Sequence, residues 1–247
     1  MSSKQLIALP VFNEVGTVDA VLNEVLRYGE NVLVVDDGST DGSAEKLAAR
    51  SDIRLVTHPE NRGYGAALQT AFAFAVEHRY EILVTIDCDG QHQPQRIQQF
   101  ADAISTSEAD IISGSRYLEK FSADSSPPED RRNINRRITN LLNERLGLQL
   151  TDAFCGFKAY RVSALAQLEI TETGYAMPLE LWVQAACHEW VIAELPVPLI
   201  YLDANRSFGG QLDQAEIRLR YYLDVINQAL ERVPSDCGQF QNSRITL

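Results

Sequence analysis

Apolar and polar positions switch between two periods along the first half of the chain. Residues 6–9 form a short apolar run, after which Val18, Val21, Leu22, Val25 and Leu26 recur at helical spacing within residues 16–27. A second apolar run at 31–35 stops abruptly at Asp36-Asp37-Gly38. Asp41 can cap a helix reaching residue 50, with Glu45 near its first turns. Further strands are expected at 53–56, 81–86 and 110–113, separated by an Ala- and Phe-rich helix at 63–77 and a helix at 94–105. This β-α repetition predicts an α/β fold, a Rossmann-like and mainly parallel sheet flanked by helices.

Beyond residue 113 the pattern changes. Residues 122–130, rich in Ser, Pro and acid, read as a mobile loop. A basic helix with Arg131, Arg132, Arg136 and Arg137 follows, and then extra C-terminal helices near 178–189 and 212–232. Pro196 and Pro198 place the strand between those helices at a sheet edge. In the last helix Tyr221, Tyr222, Val225 and Ile226 form a stripe that packs on the core or on a second chain, the core being the more usual destination. One domain over residues 1–232 and a loosely ordered tail at 233–247 account for the whole pattern.

Composition narrows the partners. The 247 residues are 45% hydrophobic, enough for a sizeable core. Acidic side chains number 34 against 22 basic ones, a formal charge of −12, which excludes a general nucleic-acid binder. Cys88, Cys155, Cys187 and Cys237 lack any regular spacing, so reduced thiols are expected rather than a disulfide framework. No apolar stretch approaches the roughly 18–20 residues of a spanning helix. A soluble cytoplasmic protein is expected, with a monotopic contact at the inner face of the membrane left open.

In open α/β sheets ligands sit beyond the carboxyl ends of the strands. Three polar turns, at residues 10–14, 36–41 and 87–91, fall at those ends. Within Asp87-Cys88-Asp89-Gly90-Gln91-His92 a strand delivers two carboxylates, oxygen ligands suited to Mg²⁺ or Mn²⁺ held together with substrate phosphates. An EF-hand is excluded, since its obligatory Gly and Glu positions are here His92 and Gln98. Asp36 and Asp37 suit hydrogen bonds to a nucleobase edge or ribose. Asn61-Arg62-Gly63 opens a helix, where a phosphate site and a plain helix start are equally good readings. Arg116, Arg131 and Arg132, in an otherwise acidic chain, suggest a bound anion, whereas Arg136 and Arg137 read as a solvated helix face.

Together with Leu9-Pro10-Val11-Phe12-Asn13-Glu14, Gly114-Ser115-Arg116-Tyr117 and Asp152-Ala153-Phe154-Cys155-Gly156-Phe157-Lys158-Ala159-Tyr160-Arg161, these motifs resemble family 2 inverting glycosyltransferases of GT-A fold. The resemblance is strongest to the branch of dolichol-phosphate mannosyltransferase and bacterial polyprenyl-phosphate glycosyltransferases, and it covers residues 6–210. It implies that Pro10, Phe12, Glu14, Asp36, Asp37, Arg62 and Arg206 bind a GDP- or UDP-hexose. Asp89 and Gln91 would help hold Mg²⁺ or Mn²⁺, and Asp87 would approach the sugar or the metal. Arg116 with Arg131 or Arg132 would hold the phosphate of a polyprenyl acceptor. A hydroxyl acceptor would need a base. Asp152 is the candidate, with a structural carboxylate capping the 154–160 turn as the equal alternative. Phe208-Gly209-Gly210 departs from the family's basic or hydroxyl-bearing segment after Arg206. Two rival readings are the same donor chemistry on a soluble sugar or protein hydroxyl, and a non-catalytic nucleotide-sugar or metal-binding module.

Overall fold

The computed structural model describes residues 4–122, 124–202, 210–234 and 237. Seven strands, β1 (Gln5–Val11), β2 (Val32–Asp36), β3 (Arg54–Thr57), β4 (Ile82–Thr85), β5 (Ile111–Ser115), β6 (Lys158–Arg161) and β7 (Ile192–Pro196), form one sheet. Their order is β3-β2-β1-β4-β6-β5-β7. The helices are α1 (Val18–Val25), α2 (Ser43–Ala48), α3 (Tyr64–Glu77), α4 (Ile97–Ser105), α5 (Glu129–Leu146), α6 (Val162–Leu165), α7 (Met177–Cys187) and α8 (Ala215–Arg232).

Strands β1 to β4 are parallel, and β2 and β4, inside the sheet with both faces covered, read as apolar runs, whereas β3 is a half-exposed edge strand. One face packs against α1, α2 and α4 through Val18, Leu22, Leu47, Ile97 and Phe100. The other carries α3, α5, α7 and α8 through Ala67, Ala71, Ile138, Leu179, Trp182 and Ile226. Tyr222, Val225 and Ile226 are thus core residues of this chain. Strand β7 lies at the sheet edge, as its prolines require.

Three expectations need correction. The turn expected over 154–160 gives way at Lys158 to β6, antiparallel to both β4 and β5 and inserted between them. A four-residue run with Lys158 and Arg161 at its ends carries no apolar alternation, so only its neighbours make it a strand. The Ser- and Pro-rich segment before α5 is tied down rather than loose: Ser125 N donates to Leu199 O at 2.7 Å, and Leu199 N donates to Asp124 Oδ1 at 2.8 Å. Cys187 and Cys237, expected as thiols, form a disulfide, because α7 and α8 pack side by side and bring their Cα atoms to 5.0 Å. Sequence spacing cannot report that proximity. Cys88 and Cys155 are free and buried. Of the 233–247 tail, all but residues 233, 234 and 237 lie outside the described residues.

The inserted strand is pinned by a stack of Phe157, just before β6, on Phe100 of α4, with centroids 4.2 Å apart and planes 9° apart. Phe100 is fully buried. Phe100→Ala is expected to cost about 3–5 kcal/mol in urea unfolding; a loss under about 1 kcal/mol would show that β6 is held without it.

Candidate active site

The turns after β1 and β2 are laced together by side chains. Asn13 adopts a left-handed φ of 57°, which its short amide side chain tolerates. Its Oδ1 accepts Thr40 N at 2.8 Å, and its own N donates to Ser39 Oγ at 3.0 Å. Glu14 N donates to Ser43 Oγ and Val15 N to Asp41 Oδ2, both at 2.9 Å. The lacing sets Pro10, Phe12 and Glu14 on a cavity wall, with the Phe12 ring 40% exposed.

The two aspartates after β2 have different fates. Asp37 lies on the wall, and its carboxylate accepts Arg62 N at 3.0 Å and Gly63 N at 2.7 Å, with His58 Nδ1 2.6 Å away. It therefore organises the start of α3. Gly63 is needed there: its φ is +103°, and a Cβ would overlap the Thr173 carbonyl. Asp36 is fully buried and sits behind the wall. Its Oδ1 accepts Ser39 N at 3.1 Å, while Oδ2 has no partner among the described residues. The Arg62 side chain is exposed and off the wall.

After β4, Asp87 and Asp89 both face the cavity. Tyr64 OH donates to Asp87 Oδ1 at 3.1 Å, and His92 Nε2 lies 3.1 Å from Oδ2. Burial alone would raise the Asp87 pKa, but His92, Tyr64 and the Lys158 charge outweigh it and hold the group below the ordinary carboxylate value. Gln91 donates from N and Nε2 to Asp89 Oδ1 and Oδ2 at 2.9 and 2.8 Å, so it secures that carboxylate. Among the described residues no group of three or more His, Cys, Asp and Glu side chains converges as a ready-made metal cage. Two neighbouring carboxylates on a wall nonetheless fit an ion such as Mg²⁺ or Mn²⁺ that draws its other ligands from phosphate and water.

On the β5 side the wall carries Arg116, Tyr117, Arg131, Tyr201 and Arg218. Arg131 of α5 donates to Tyr201 OH. Arg218 of α8 is buried and donates to Asp130 Oδ2 at 2.7 Å and Leu212 O at 2.8 Å. Arg132, like Arg136 and Arg137, is exposed and off this wall. Arg206 lies outside the described residues.

Asp152 is fully buried beneath Arg116 and does not line the cavity. It accepts Arg116 Nε and Nη2 at 2.6 and 2.9 Å, Arg116 N at 3.2 Å, Asn135 Nδ2 at 2.8 Å and Phe154 N at 3.1 Å. Burial pushes its pKa up, but the Arg116 charge and these donors prevail and bring it to about 2. The backbone on which it stands is held by Glu194 of β7, which accepts Thr151 N at 2.8 Å and Asp152 N at 3.1 Å.

A cavity of about 560 Å³ connects the groups on the two walls. The same cavity is also lined by apolar and aromatic side chains, among them Ile134, Phe154, Pro178, Leu199 and Tyr222. Tyr64 and Tyr175 stack at its edge, with centroids 6.0 Å apart. Tyr64, Tyr175, Tyr201, Asn135 and Glu194 were not anticipated. Tyr64 alone had a local signal, its place directly after Gly63 at a helix start.

A sequence model of the family described as glycosyl transferase family 2 matches residues 6–169. The chain belongs to that family. It is 28% identical over 226 residues to the undecaprenyl-phosphate mannosyltransferase of Micrococcus luteus, spanning 87% of this chain and 91% of that one. It is 29% identical over 231 residues to the polyprenol monophosphomannose synthase of Mycolicibacterium smegmatis, spanning 88% and 86%. Among solved structures it is similar to glucosyl-3-phosphoglycerate synthase from Mycobacterium tuberculosis in complex with Mn²⁺, uridine diphosphate and phosphoglyceric acid. That match has a TM-score of 0.73 at 19% identity and covers 94% of this chain and 80% of that one. This family 2 glycosyltransferase therefore has the GT-A fold expected from its motifs.

The Asp152 pKa sets an acid-stability expectation. A carboxylate at about 2 when folded and near its ordinary value when unfolded contributes stability that is complete above pH ~4 and lost as pH falls through 2. The contribution is on the order of 2 kcal/mol. Asp152→Asn is expected to remove that acid-dependent component in urea titrations between pH 5 and 2. An unchanged pH dependence would show that the group is not paired in this way.

Proposed function

We propose that this glycosyltransferase moves a hexose, mannose or glucose, from a GDP- or UDP-sugar to a polyprenyl phosphate, with inversion and with a divalent metal. The observation that carries the reading is the polarity of this cavity: carboxylates after β1, β2 and β4, arginines after β5 and on α5, and apolar and aromatic side chains on the same lining. The names of the mannosyltransferase relatives point the same way.

The roles follow from chemistry. Phe12 offers an exposed ring for a base to stack on, Pro10 and Glu14 shape the same wall, and Asp36, buried behind it, would serve the nucleotide through the turn that it holds at Ser39 N. Asp37 acts through the α3 start that it organises, and Arg62 at that start serves the donor through its backbone placement. Asp89, secured by Gln91, and Asp87 would hold the metal. A divalent ion there supplies charge stabilisation to the departing nucleoside diphosphate. Arg116 and Arg131 orient the acceptor phosphate, a proximity effect. That acceptor is already ionised and needs no strong base. Asp152, pinned by Arg116 and off the wall, is suited to positioning Arg116 rather than to taking a proton. Among the described residues no helix is long and apolar enough to cross a membrane, so a lipid acceptor would be met at a bilayer surface.

The test is a transfer assay with GDP-mannose and UDP-glucose, Mn²⁺ or chelator, and either a polyprenyl phosphate or a soluble hydroxyl acceptor, with the product anomer read by NMR. Mn²⁺-dependent transfer to the lipid phosphate with inverted configuration is expected. Arg131→Ala is expected to raise the acceptor KM about tenfold or more with little change in donor KM. Transfer only to hydroxyl acceptors, or retention of configuration, would overturn the proposal. Binding without any turnover would favour a non-catalytic module.

A further inference from the structure

We propose that Lys158 is a positioning residue for glycosyl transfer: with the Trp182 indole, its buried ammonium fixes the 152–156 turn and thereby sets where Arg116 and Asp87 stand in the cavity. The proposal rests on the reading above that this cavity is the transfer site. Lys158 itself is 2% exposed and is not on the cavity wall, so it touches no substrate.

Lys158 opens β6, in register with Thr85 of β4 on one side and Ser113 of β5 on the other. Its Nζ lies 5.4 Å from the Trp182 ring centroid on α7 and donates to the Cys155 carbonyl. Trp182 Nε1 donates to the Ala153 carbonyl at 2.9 Å, and Thr85 Oγ1 donates to the Gly156 carbonyl at 2.8 Å. Three carbonyls of one five-residue turn are thus held from beneath.

The two ends of that turn serve opposite halves of the cavity. At its start Asp152 carries the Arg116 guanidinium. At its end Gly156 lies directly under Asp87, so closely that a Cβ would overlap the carboxylate. A shift of the turn would therefore move the acceptor-side arginine and the donor-side carboxylate together.

Packing alone does not explain a lysine here. An ammonium out of water costs several kcal/mol unless it is compensated, and an apolar side chain would fill the same space without that cost. Burial, with the Arg116 charge, lowers the Lys158 pKa, and the carbonyl, the indole face and the charges of Asp152 and Asp87 oppose that cost in part. What the charge adds over a hydrocarbon is a fixed turn.

The experiment compares wild type with Lys158→Met, Lys158→Arg and Trp182→Phe, each checked for folding by near-UV circular dichroism. Initial rates are measured against donor and acceptor with Mn²⁺. Lys158→Met keeps the stem and removes the charge. Its kcat is expected to fall roughly ten- to hundredfold, with donor KM within about threefold of wild type. Lys158→Arg is expected to restore part of the rate, and Trp182→Phe, which loses the donor to Ala153 and the larger indole face but keeps an aromatic ring, to lower kcat in the same direction by less. If Lys158→Met does not fold, Trp182→Phe decides: an unchanged kcat in a folded protein overturns the proposal. Wild-type kcat in Lys158→Met, or a loss that Arg does not reduce at all, overturns it too. Turnover in wild type with unaffected variants removes the role of Lys158 alone. No turnover in wild type with any donor removes the functional reading and this role with it.

Discussion

The buried pairing of Asp152 with Arg116 is the interaction on which the cavity depends. A charge without access to water must be neutralised and hydrogen-bonded, or it destabilises the fold. Here five donors converge on one carboxylate, three of them from Arg116. The pair joins the carboxyl end of β5 to the segment that leads into β6, and Asn135 draws α5 onto the same point. The inserted antiparallel strand, the basic helix and the cationic wall are thus fixed by one neutralised charge. Desolvation makes the pair costly, but once formed it strongly penalises any displacement of Arg116.

The opposite half is built by a different device. Backbone amides of the turns after β1 and β3 are satisfied by the Ser39, Asp41, Ser43 and Asp37 side chains that follow β2, so three sequence-distant turns set into one rim. Sheet order then decides the polarity of the site. With β2, β1 and β4 adjacent and β5 beyond β6, the carboxylates and the arginines necessarily fall on different sides of one cavity. A donor with a diphosphate leaving group and an anionic acceptor need that separation, since two phosphate-bearing substrates would otherwise repel each other at the reacting centre.

The parallel half was legible because strands buried on both faces are continuous apolar runs and helices between them keep a 3.6 period. The polar turns at 10–14, 36–41 and 87–91 met at one sheet edge for the same topological reason. Strand β6 was not legible: its four residues owe their conformation to β4 and β5, and Lys158 argues locally against a buried position. Asp152 could be read from sequence either as a base or as a structural carboxylate, and only its contacts separate the two. Asp36 and Asp37 looked equivalent, yet one is buried behind the wall and the other organises α3. Tyr201 and Tyr175 reach the cavity from loops, and Glu194 braces the Asp152 backbone from an edge strand, none of them with a sequence pattern tied to the site. The Cys187–Cys237 bridge depends on the packing of α7 against α8, which cysteine spacing does not encode.

The central claim is that the acidic rim binds a nucleoside diphosphate with Asp89 as part of a divalent-metal site. Calorimetric titration with GDP and UDP, each with and without Mn²⁺, on wild type and Asp89→Asn tests it most directly. One of the two nucleotides is expected to bind, more tightly with Mn²⁺, and Asp89→Asn is expected to abolish the Mn²⁺ enhancement while leaving metal-free binding intact. Failure of folded wild type to bind either nucleotide, or a Mn²⁺ enhancement that survives in Asp89→Asn, would contradict it.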